Sequence, residues 1–430
     1  MFIFNAVTIF RLAISVFIMA LRHFLRNVHS VCPVANSTLE KSSIFLCRKL
    51  KNQEITFCQM SSSSSSNKIM DMVVPKEEVQ RFVSECMKKA GTTSEDADTV
   101  AHHLMIADYR GHFSHGLNRM TMYVHEINER ITDPTAKPEV VNDFQATALV
   151  CGHNALGQVV GKYCMELAIN KAEKFGIGLV TANGSNHYGI CGYYTKMAMK
   201  RNMIGFTCTN TSPLMAPTRS ARAGLGTNPL SLGMAGSNNE EFVLDMATTA
   251  VALGKIELAM RKGDKIPDGW ALGADGKPTT DPHVAFDNAL LMPLGGTEEH
   301  SGYKGYGLAT MVEILCGILS GSQFGPNIRA WRKSERAADL GHCFIVINPE
   351  VFCPGSKDRL TQLVEQLRHL PQAGEKGIMV AGDPERNSMA KVDANGGIMY
   401  HENQIKHAEE FAKEIGVKPM KLISKMGTKC

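Results

Sequence analysis

Residues 108–119, Asp-Tyr-Arg-Gly-His-Phe-Ser-His-Gly-Leu-Asn-Arg, pack polar groups densely where one helix-like pattern gives way to the next. Within this string, Ser114, His115 and Gly116 set an imidazole beside a residue that lets backbone approach closely. Arg119 follows His115 by four positions, a spacing that puts both side chains on one side of a helical turn. Such a pair suits hydride chemistry on a 2-oxo acid. A guanidinium fork binds a carboxylate bidentately. An imidazole titrating near working pH hands a proton to the forming alkoxide and takes it back in oxidation. A capping serine with two solvated side chains accounts for the same string equally well.

Three further places carry comparable chemistry. Asn186-His187-Tyr188-Gly189 follows an apolar β-rich run and precedes a helical pattern, and loops at the carboxyl ends of strands are where α/β sheets bind ligands. Asp245-Met246-Ala247-Thr248-Thr249 sits in a similar setting, where an acid, hydroxyls and free amides hold ribose or phosphate. Lys304, in Gly302-Tyr303-Lys304-Gly305-Tyr306-Gly307, is a cation between flexible glycines. The bland alternatives are a loop histidine bonded to backbone, a helix cap and a surface lysine. His102, His103, His112 and His115 place four imidazoles close together. The adjacent pair points apart on a helix, and no cysteine or carboxylate pattern completes a ligand set, so the expectation is no metal.

The familiar nucleotide and hydrolase signatures are missing. No G-x-G-x-x-G opens a helix after a strand, and there is no P-loop, H-E-x-x-H or G-x-S-x-G. The first absence argues against the common dinucleotide fold. Gly224-Leu225-Gly226-Thr227-Asn228-Pro229 reads as a tight turn.

The elements that must position these residues follow from periodicity. Pro75 suits a first helical turn, Val79, Phe82, Val83, Cys86, Met87 and Ala90 recur at helical spacing, and Gly91 ends the pattern. Ser94 is the expected cap of a second helix with Glu95, Asp96 and Asp98 in its first turn. A third helical stretch covers 117–130. From about 147 the pattern changes to short β-rich runs at 148–150, 177–180, 204–207, 242–244, 344–347 and 378–380, with helical segments at 157–175, 189–201, 248–262 and 303–320. This alternation predicts an α/β layer architecture.

Composition narrows the class. The chain of 430 residues is 44% apolar and 20% charged, ordinary for a globular protein. Residues 1–67 hold seven Lys/Arg against two acids, whereas the rest holds 39 against 40. A nearly neutral body does not fit nucleic acid or an anionic membrane surface. Twelve cysteines without a C-x-x-C, mostly in apolar runs, read as reduced buried thiols. Residues 1–39 carry Arg11, Arg22 and Arg26 and no Asp, Glu or Lys, a composition that resembles a mitochondrial transit peptide, with a secretory signal as competitor. Leu12–Leu21 is too short to span a bilayer. Six serines at 61–66 read as a tether. Translation from Met60 or Met70 would instead leave the body cytoplasmic.

Seven strings occur in order: Ser-His-Gly-x-x-Arg (114–119), Ser-Asn-His-Tyr-Gly (185–189), Gly-Thr-Asn-Pro-Leu (226–230), Asp-Met-Ala-Thr-Thr (245–249), Ile-Pro-Asp-Gly-Trp-Ala (266–271), Asp-Gly-Lys-Pro-Thr-Thr-Asp-Pro (275–282) and Lys-Gly-Tyr-Gly-Leu (304–308). Together they resemble the malate/L-lactate dehydrogenase family, which is unrelated to the Rossmann-type lactate and malate dehydrogenases. That family also includes ureidoglycolate, sulfolactate and diketogulonate oxidoreductases. The resemblance covers roughly residues 72–415. It implies a homodimeric NAD-dependent enzyme, with NADP as the variant, acting on a small 2-hydroxy acid, malate foremost, and its 2-oxo acid. It implies a non-Rossmann mixed-sheet cofactor domain beside a helical domain built from N- and C-terminal segments. The expected division is a leader at 1–60, a linker at 61–69, helical 70–145, the NAD(P)-binding domain at 146–350, and a completing segment at 351–430.

By motif match, His115 looks like the acid/base, with Ser114 and Arg119 beside it and His187 as a second proton acceptor. Thr211, Asp245, Met246, Ala247, Thr248, Lys304 and the turn Gly382-Asp383-Pro384 look like cofactor contacts. One departure stands out. Relatives often carry a Trp-Gly-Gly-like turn after the equivalent of Ala216-Pro217, and here Thr218-Arg219-Ser220 replaces it. An arginine there bears on substrate identity and would suit a 2′-phosphate. A binding protein or inactive paralogue that kept the fold would be expected to lack one of the His, Arg or Lys groups, and all are present. A metal-dependent hydrolase would need the 102–115 histidines as ligands.

Overall fold

The structure is a computed structural model that describes residues 71–331 and 335–423. The expected leader and serine tether lie outside the described residues. Strand β1 (Asp71–Val74) leads through Pro75 into α1 (Lys76–Lys89). Helix α2 (Ser94–Tyr109) is capped by Thr93 rather than Ser94, because the Thr93 hydroxyl accepts the Asp96 N–H at 3.3 Å while Ser94 already lies in the helix. Two tight 3₁₀ turns, Phe113–His115 and Leu117–Arg119, precede α3 (Met120–Asn128). Regular helix therefore starts later than the 117–130 reading expects. The Leu117 N–H is taken by the Asp108 carboxylate at 2.8 Å instead of a carbonyl one turn back.

The body that follows is a seven-stranded mixed sheet. It comprises β2 (Glu139–Phe144), β3 (Thr147–Cys151), β4 (Ile177–Ser185), β5 (Ile204–Thr209), β6 (Leu230–Ala235) and β7 (Glu241–Met246), with α4 (Gly157–Phe175) and α5 (Cys191–Met199) between them. An excursion follows: α6 (Leu253–Lys262), the short pair β8 (Ala271–Leu272) and β9 (Pro278–Thr279), and α7 (Pro282–Asn288). Helix α8 (Gly302–Glu313) runs on into a wider π turn at Ile314–Ile318. Strand β10 (Leu340–Ile347) then enters the middle of the sheet, and α9 (Ser356–Arg368), α10 (Asp383–Ala394), β11 (Ile398–His401) and α11 (Glu402–Ile415) complete the chain.

Strand order is β2-β3-β4-β10-β5-β6-β7. Only β3 and β4 are parallel, joined across α4, and all the other pairs are antiparallel. This mixed sheet is not the doubly wound parallel arrangement, in accord with the missing glycine fingerprint. One face packs on α4 and α5, where Val160, Cys164, Met165 and Tyr194 meet Val180, Phe344 and Val346. Cys208, Leu230 and Cys343 on the other face meet Val312 and Cys316.

The helical part draws on both ends of the chain. Val79, Phe82, Val83 and Met87 of α1 share one core with Val100 and Leu104 of α2, and with Ile398, Tyr400, Ile405 and Phe411 near the C-terminus. β1 pairs antiparallel with β11, Asp71 opposite His401 and Val74 opposite Ile398. Each large side chain buried there contributes about 1.5–3 kcal/mol, so the C-terminal residues add substantially to a core that α1–α3 begin.

Two further expectations fail. Ile378-Met379-Val380 is not a strand. The run is short and flanked by Gly377 and Gly382, and Asp383 draws off the Val380 N–H at 2.7 Å. The segment read as helix from 248 stays extended to Ala252, because Thr248 bonds to the Thr227 carbonyl and the Ala250 N–H to Met292.

Candidate active site

The Ser114–Arg119 turn sits between α2 and α3, and the sequence folds it tightly. Gly116 lies against the Asp108 carboxylate so closely that a Cβ there would fall 1.9 Å from an oxygen. Any side chain would push the turn away. Ser114 Oγ lies 2.9 Å from His115 Nδ1, and Arg119 Nε donates to the Ser114 carbonyl at 2.6 Å. All three residues are half-buried.

His187 comes from the loop after β4, and its ring stands 5.5 Å from that of His115. Ser114, His115, Arg119 and His187 are thus brought together. Three side chains join them that sequence reasoning did not single out. Tyr123 Oη is 2.7 Å from His187 Nδ1, and Gln158 Nε2 donates to the same hydroxyl at 2.9 Å. With Gln158 donating to its oxygen, the Tyr123 hydroxyl keeps a proton to offer His187 Nδ1, an arrangement that suits the His187 tautomer with its hydrogen on Nε2. Trp331 lies over Arg119, ring centre 5.0 Å from Cζ, and meets His187 edge-on at 5.8 Å. Tyr123 had a signal, since it follows Arg119 by one helical turn. Trp331 had none in local spacing.

Electrostatics depart from the simple reading of a near-neutral acid/base. Burial first, then the Arg119 charge and His112, pushes His115 down to about 3. Burial and His115 itself hold His187 well below its usual range. Both imidazoles are therefore neutral in this arrangement. A ligand carboxylate on Arg119 would offset the second influence on His115 and raise its proton affinity.

His102 and His103 make structural contacts, and His112 faces the Glu385 carboxylate at 3.4 Å. His102 Nδ1 lies 2.9 Å from Tyr193 Oη, and His103 Nε2 accepts the Ile190 N–H at 2.9 Å. Among the described residues no three His, Cys, Asp or Glu groups are arranged to hold a metal ion.

The residues expected at the cofactor fall in two adjoining groups. Thr211 Oγ1 accepts the Thr227 N–H at 2.9 Å, and Thr248 Oγ1 donates to Thr227 and Asn228 carbonyls at 2.9 and 3.1 Å. The Leu294 N–H bonds to the Thr248 carbonyl, and Gly305 of α8 abuts Leu294. Lys304 is thereby placed on the same side, exposed and without an ion pair among the described residues. The second group centres on β7. Met246, beside Thr227-Thr248, pairs with Leu230. The half-buried Asp245 carboxylate accepts the Gly192 N–H at the start of α5 at 2.7 Å.

Gly382, at φ +101°, packs on Val243 of the same strand and turns the chain into α10. Asp383 spends its carboxylate on Val380 N, Arg368 and Arg386, while Pro384 is exposed in the first turn. The buried oxygens Gln158 Oε1 and Asn186 Oδ1 make no hydrogen bond among the described residues. Arg219 pairs bidentately with Glu298 at 2.7 and 2.9 Å in a surface loop.

A family model described as malate/L-lactate dehydrogenase matches residues 74–408. The malate dehydrogenase of Pyrococcus horikoshii is 40% identical over 348 residues, 80% of this chain and 96% of that one. The L-sulfolactate dehydrogenase of Methanocaldococcus jannaschii is 38% identical over 349 residues, 80% of this chain and 98% of its own. Among solved structures, malate dehydrogenase from Entamoeba histolytica superposes with a TM-score of 0.77 at 31% identity, covering 81% of this chain and 99% of that one.

Proposed function

The chain belongs to the malate/L-lactate dehydrogenase family, and from that premise we propose that it interconverts malate and its 2-oxo acid, with His115 moving the hydroxyl proton and Arg119 holding the carboxylate. Membership makes it a nicotinamide-dependent 2-hydroxy-acid oxidoreductase. The observation that carries the assignment of roles is one guanidinium beside two neutral imidazoles. Arg119 gives only Nε to the protein, and its outer nitrogens make no hydrogen bond among the described residues. They are left for a planar anion.

Each residue then has a task. Arg119 fixes the carboxylate end of the acid, and Trp331 over the guanidinium face restricts approach to its edge. His187 presents Nε2–H toward the oxygen on C2. His115, oriented by the Ser114 hydroxyl, accepts the hydroxyl proton in oxidation and returns it in reduction. A bound nicotinamide cofactor supplies the hydride acceptor or donor. Thr211, the Asp245–Thr248 segment, Lys304 and the Gly382-Asp383-Pro384 turn would hold it. The Arg219–Glu298 pair favours NAD, because a 2′-phosphate would compete with Glu298 for the same guanidinium.

The test is oxidation of NADH or NADPH, followed by absorbance, across a panel of 2-oxo acids starting with oxaloacetate, pyruvate and 2-oxoglutarate. Turnover with oxaloacetate and NADH is expected. Cofactor binding without turnover of any acid would remove the proposed reaction.

Two further parts of the proposal concern assembly and destination. Tyr303, Met311, Ile314, Ile318 and Leu319 are exposed apolar side chains along α8 and its π turn, a feature that supports a homodimer. Sedimentation at working concentration tests it, and a monomer would refute it. The Arg-bearing, acid-free composition of residues 1–39 supports a mitochondrial address. A fluorescent fusion of the first 69 residues that stays cytoplasmic would refute that.

A further inference from the structure

The turn that carries Ser114, His115 and Arg119 is held from outside by side chains the chemistry does not use. Asp108, on the last turn of α2, is almost fully buried, and one of its carboxylate oxygens accepts two hydrogen bonds. The Leu117 N–H donates at 2.8 Å and the Tyr400 hydroxyl at 2.6 Å. Tyr400 belongs to β11, nearly three hundred residues further along the chain. Its ring also meets Phe113 edge-on, with centroids 6.0 Å apart. One helical turn on, Gln404 of α11 donates to Asn118 Oδ1 at 3.1 Å, and Asn118 Nδ2 in turn donates to the Phe113 carbonyl at 3.0 Å.

The pattern of these contacts is selective. Residues 113, 116, 117 and 118 are each gripped, by the Tyr400 ring, the Asp108 carboxylate, its hydrogen bond and Gln404 respectively. Ser114, His115 and Arg119, interleaved with them, make no hydrogen bond to the three bracing side chains among the described residues. The scaffold thus fixes the backbone on which the reactive groups stand and leaves the groups themselves free to meet substrate.

We propose that Asp108, Tyr400 and Gln404 form a brace that sets the reactive geometry of the 113–119 turn, with Asp108 and Tyr400 as positioning residues for His115 and Arg119. The proposal rests on the reading of those two residues as acid/base and carboxylate holder. It assigns the C-terminal segment a part in turnover although none of its residues reaches the acid.

The full chain would be compared as wild type, Tyr400→Phe, Asp108→Ala and Asp108→Asn. Readouts are kcat and KM for oxaloacetate, cofactor Kd, and amide hydrogen exchange across residues 113–119. Tyr400→Phe removes one hydroxyl and keeps the ring, so it tests the brace even where Asp108→Ala does not fold. Displacing reacting groups by an ångström costs up to about a hundredfold in rate. Tyr400→Phe and Asp108→Ala are therefore expected to lower kcat about tenfold or more, to leave cofactor Kd within about twofold, and to speed exchange at Leu117. Asparagine can keep an acceptor where both donors point, so Asp108→Asn is expected to restore kcat and Leu117 protection. An asparagine variant as slow as the alanine one would overturn the proposal. So would unchanged exchange and unchanged kcat in Tyr400→Phe. If the wild type turns over no 2-oxo acid, the catalytic reading fails while the exchange data still judge the brace.

Discussion

The rings of His115 and His187 stand 5.5 Å apart with their planes 26° from parallel. Two imidazoles this close resist carrying charge together, and the influence of His115 on His187 is one of the causes that keep His187 neutral. In the proposed reaction one of them handles the proton while the other donates a hydrogen bond. His115→Gln is expected to lower kcat by roughly 10²–10⁴-fold with modest loss of cofactor binding. His187→Gln, which can still donate from its amide, is expected to lose less. Steady-state kinetics on both variants decide the assignment, and an unchanged rate in His115→Gln removes that residue from the mechanism.

Arg119 is anchored at Nε and stacked by Trp331, so its outer nitrogens are aimed before any acid arrives. Lysine offers a point charge without the fork or the anchor. Arg119→Lys should therefore raise KM for the acid by about ten- to a hundredfold, equivalent to roughly 1.4–2.8 kcal/mol of ground-state binding, and change kcat less. Equal KM values would end the carboxylate-holder assignment.

Trp331 walls the site on the side of Arg119 and His187. Replacing it with alanine enlarges the space for the substituent on C2 of the acid. Trp331→Ala is expected to shift kcat/KM toward bulkier 2-oxo acids by about tenfold relative to oxaloacetate. Trp331→Phe should keep the wild-type order. A selectivity unchanged in both variants would show that the wall does not touch the acid.

Lys304 stands at the start of α8 beside the Thr248–Leu294 contact. If it meets a cofactor phosphate, Lys304→Met should raise cofactor Kd by roughly tenfold, the cost of one charge-assisted hydrogen bond, with little effect on the acid. Fluorescence titration of NADH against the variant provides the check, and an unaltered Kd excludes the contact.

Stability should fall in acid. His103, His115, His187 and His342 are all held below the 6.5 of an ordinary imidazole, in each case chiefly by burial, with His103, His115 and His342 at about 3. From pH 6.5 down to about 3 the unfolded chain binds more protons than the folded one, so stability present above pH 6.5 is lost as pH falls. Asp108 works the other way, since burial lifts it to about 7 and it favours the fold most below the ordinary value of 3.8. Burial likewise lowers His102 and raises Asp245, so five imidazoles oppose two carboxyls. Melting temperature should drop between pH 7 and pH 5, and a flat profile across that range would contradict the balance.

Much of the site was legible as short strings. Ser114, His115 and Arg119 lie within one turn, and a loop after a strand is where His187 belongs. What stayed hidden depends on distant partners. Trp331 reaches Arg119 from a loop more than two hundred residues on, and Gln158 reaches Tyr123 from the first turn of α4. The fold shows the same division. Helix α4 matches its expected span residue for residue, because periodicity and Gly176 mark it locally. Strand β6 escaped notice because Ser231 and Gly233 break its apolar run, and it forms because β5 and β7 flank it on both edges. The apolar run at 378–380 has no such flank. Nor does alternation of strands and helices reveal that β10 inserts antiparallel between β4 and β5.

The pairing of β1 with β11 has a bearing on how the protein comes into being. During synthesis α1, α2 and α3 emerge first and can begin this core, yet Ile398, Tyr400, Ile405 and Phe411, which complete it around Phe82 and Leu104, are made only much later. The helical part is therefore a late-closing structure of high contact order, and its formation is slow compared with a bundle of neighbours. Through that interval the apolar surface that Ile398, Tyr400, Ile405 and Phe411 cover stays open, so nascent chains stalled before residue 398 would be the species most in need of chaperones.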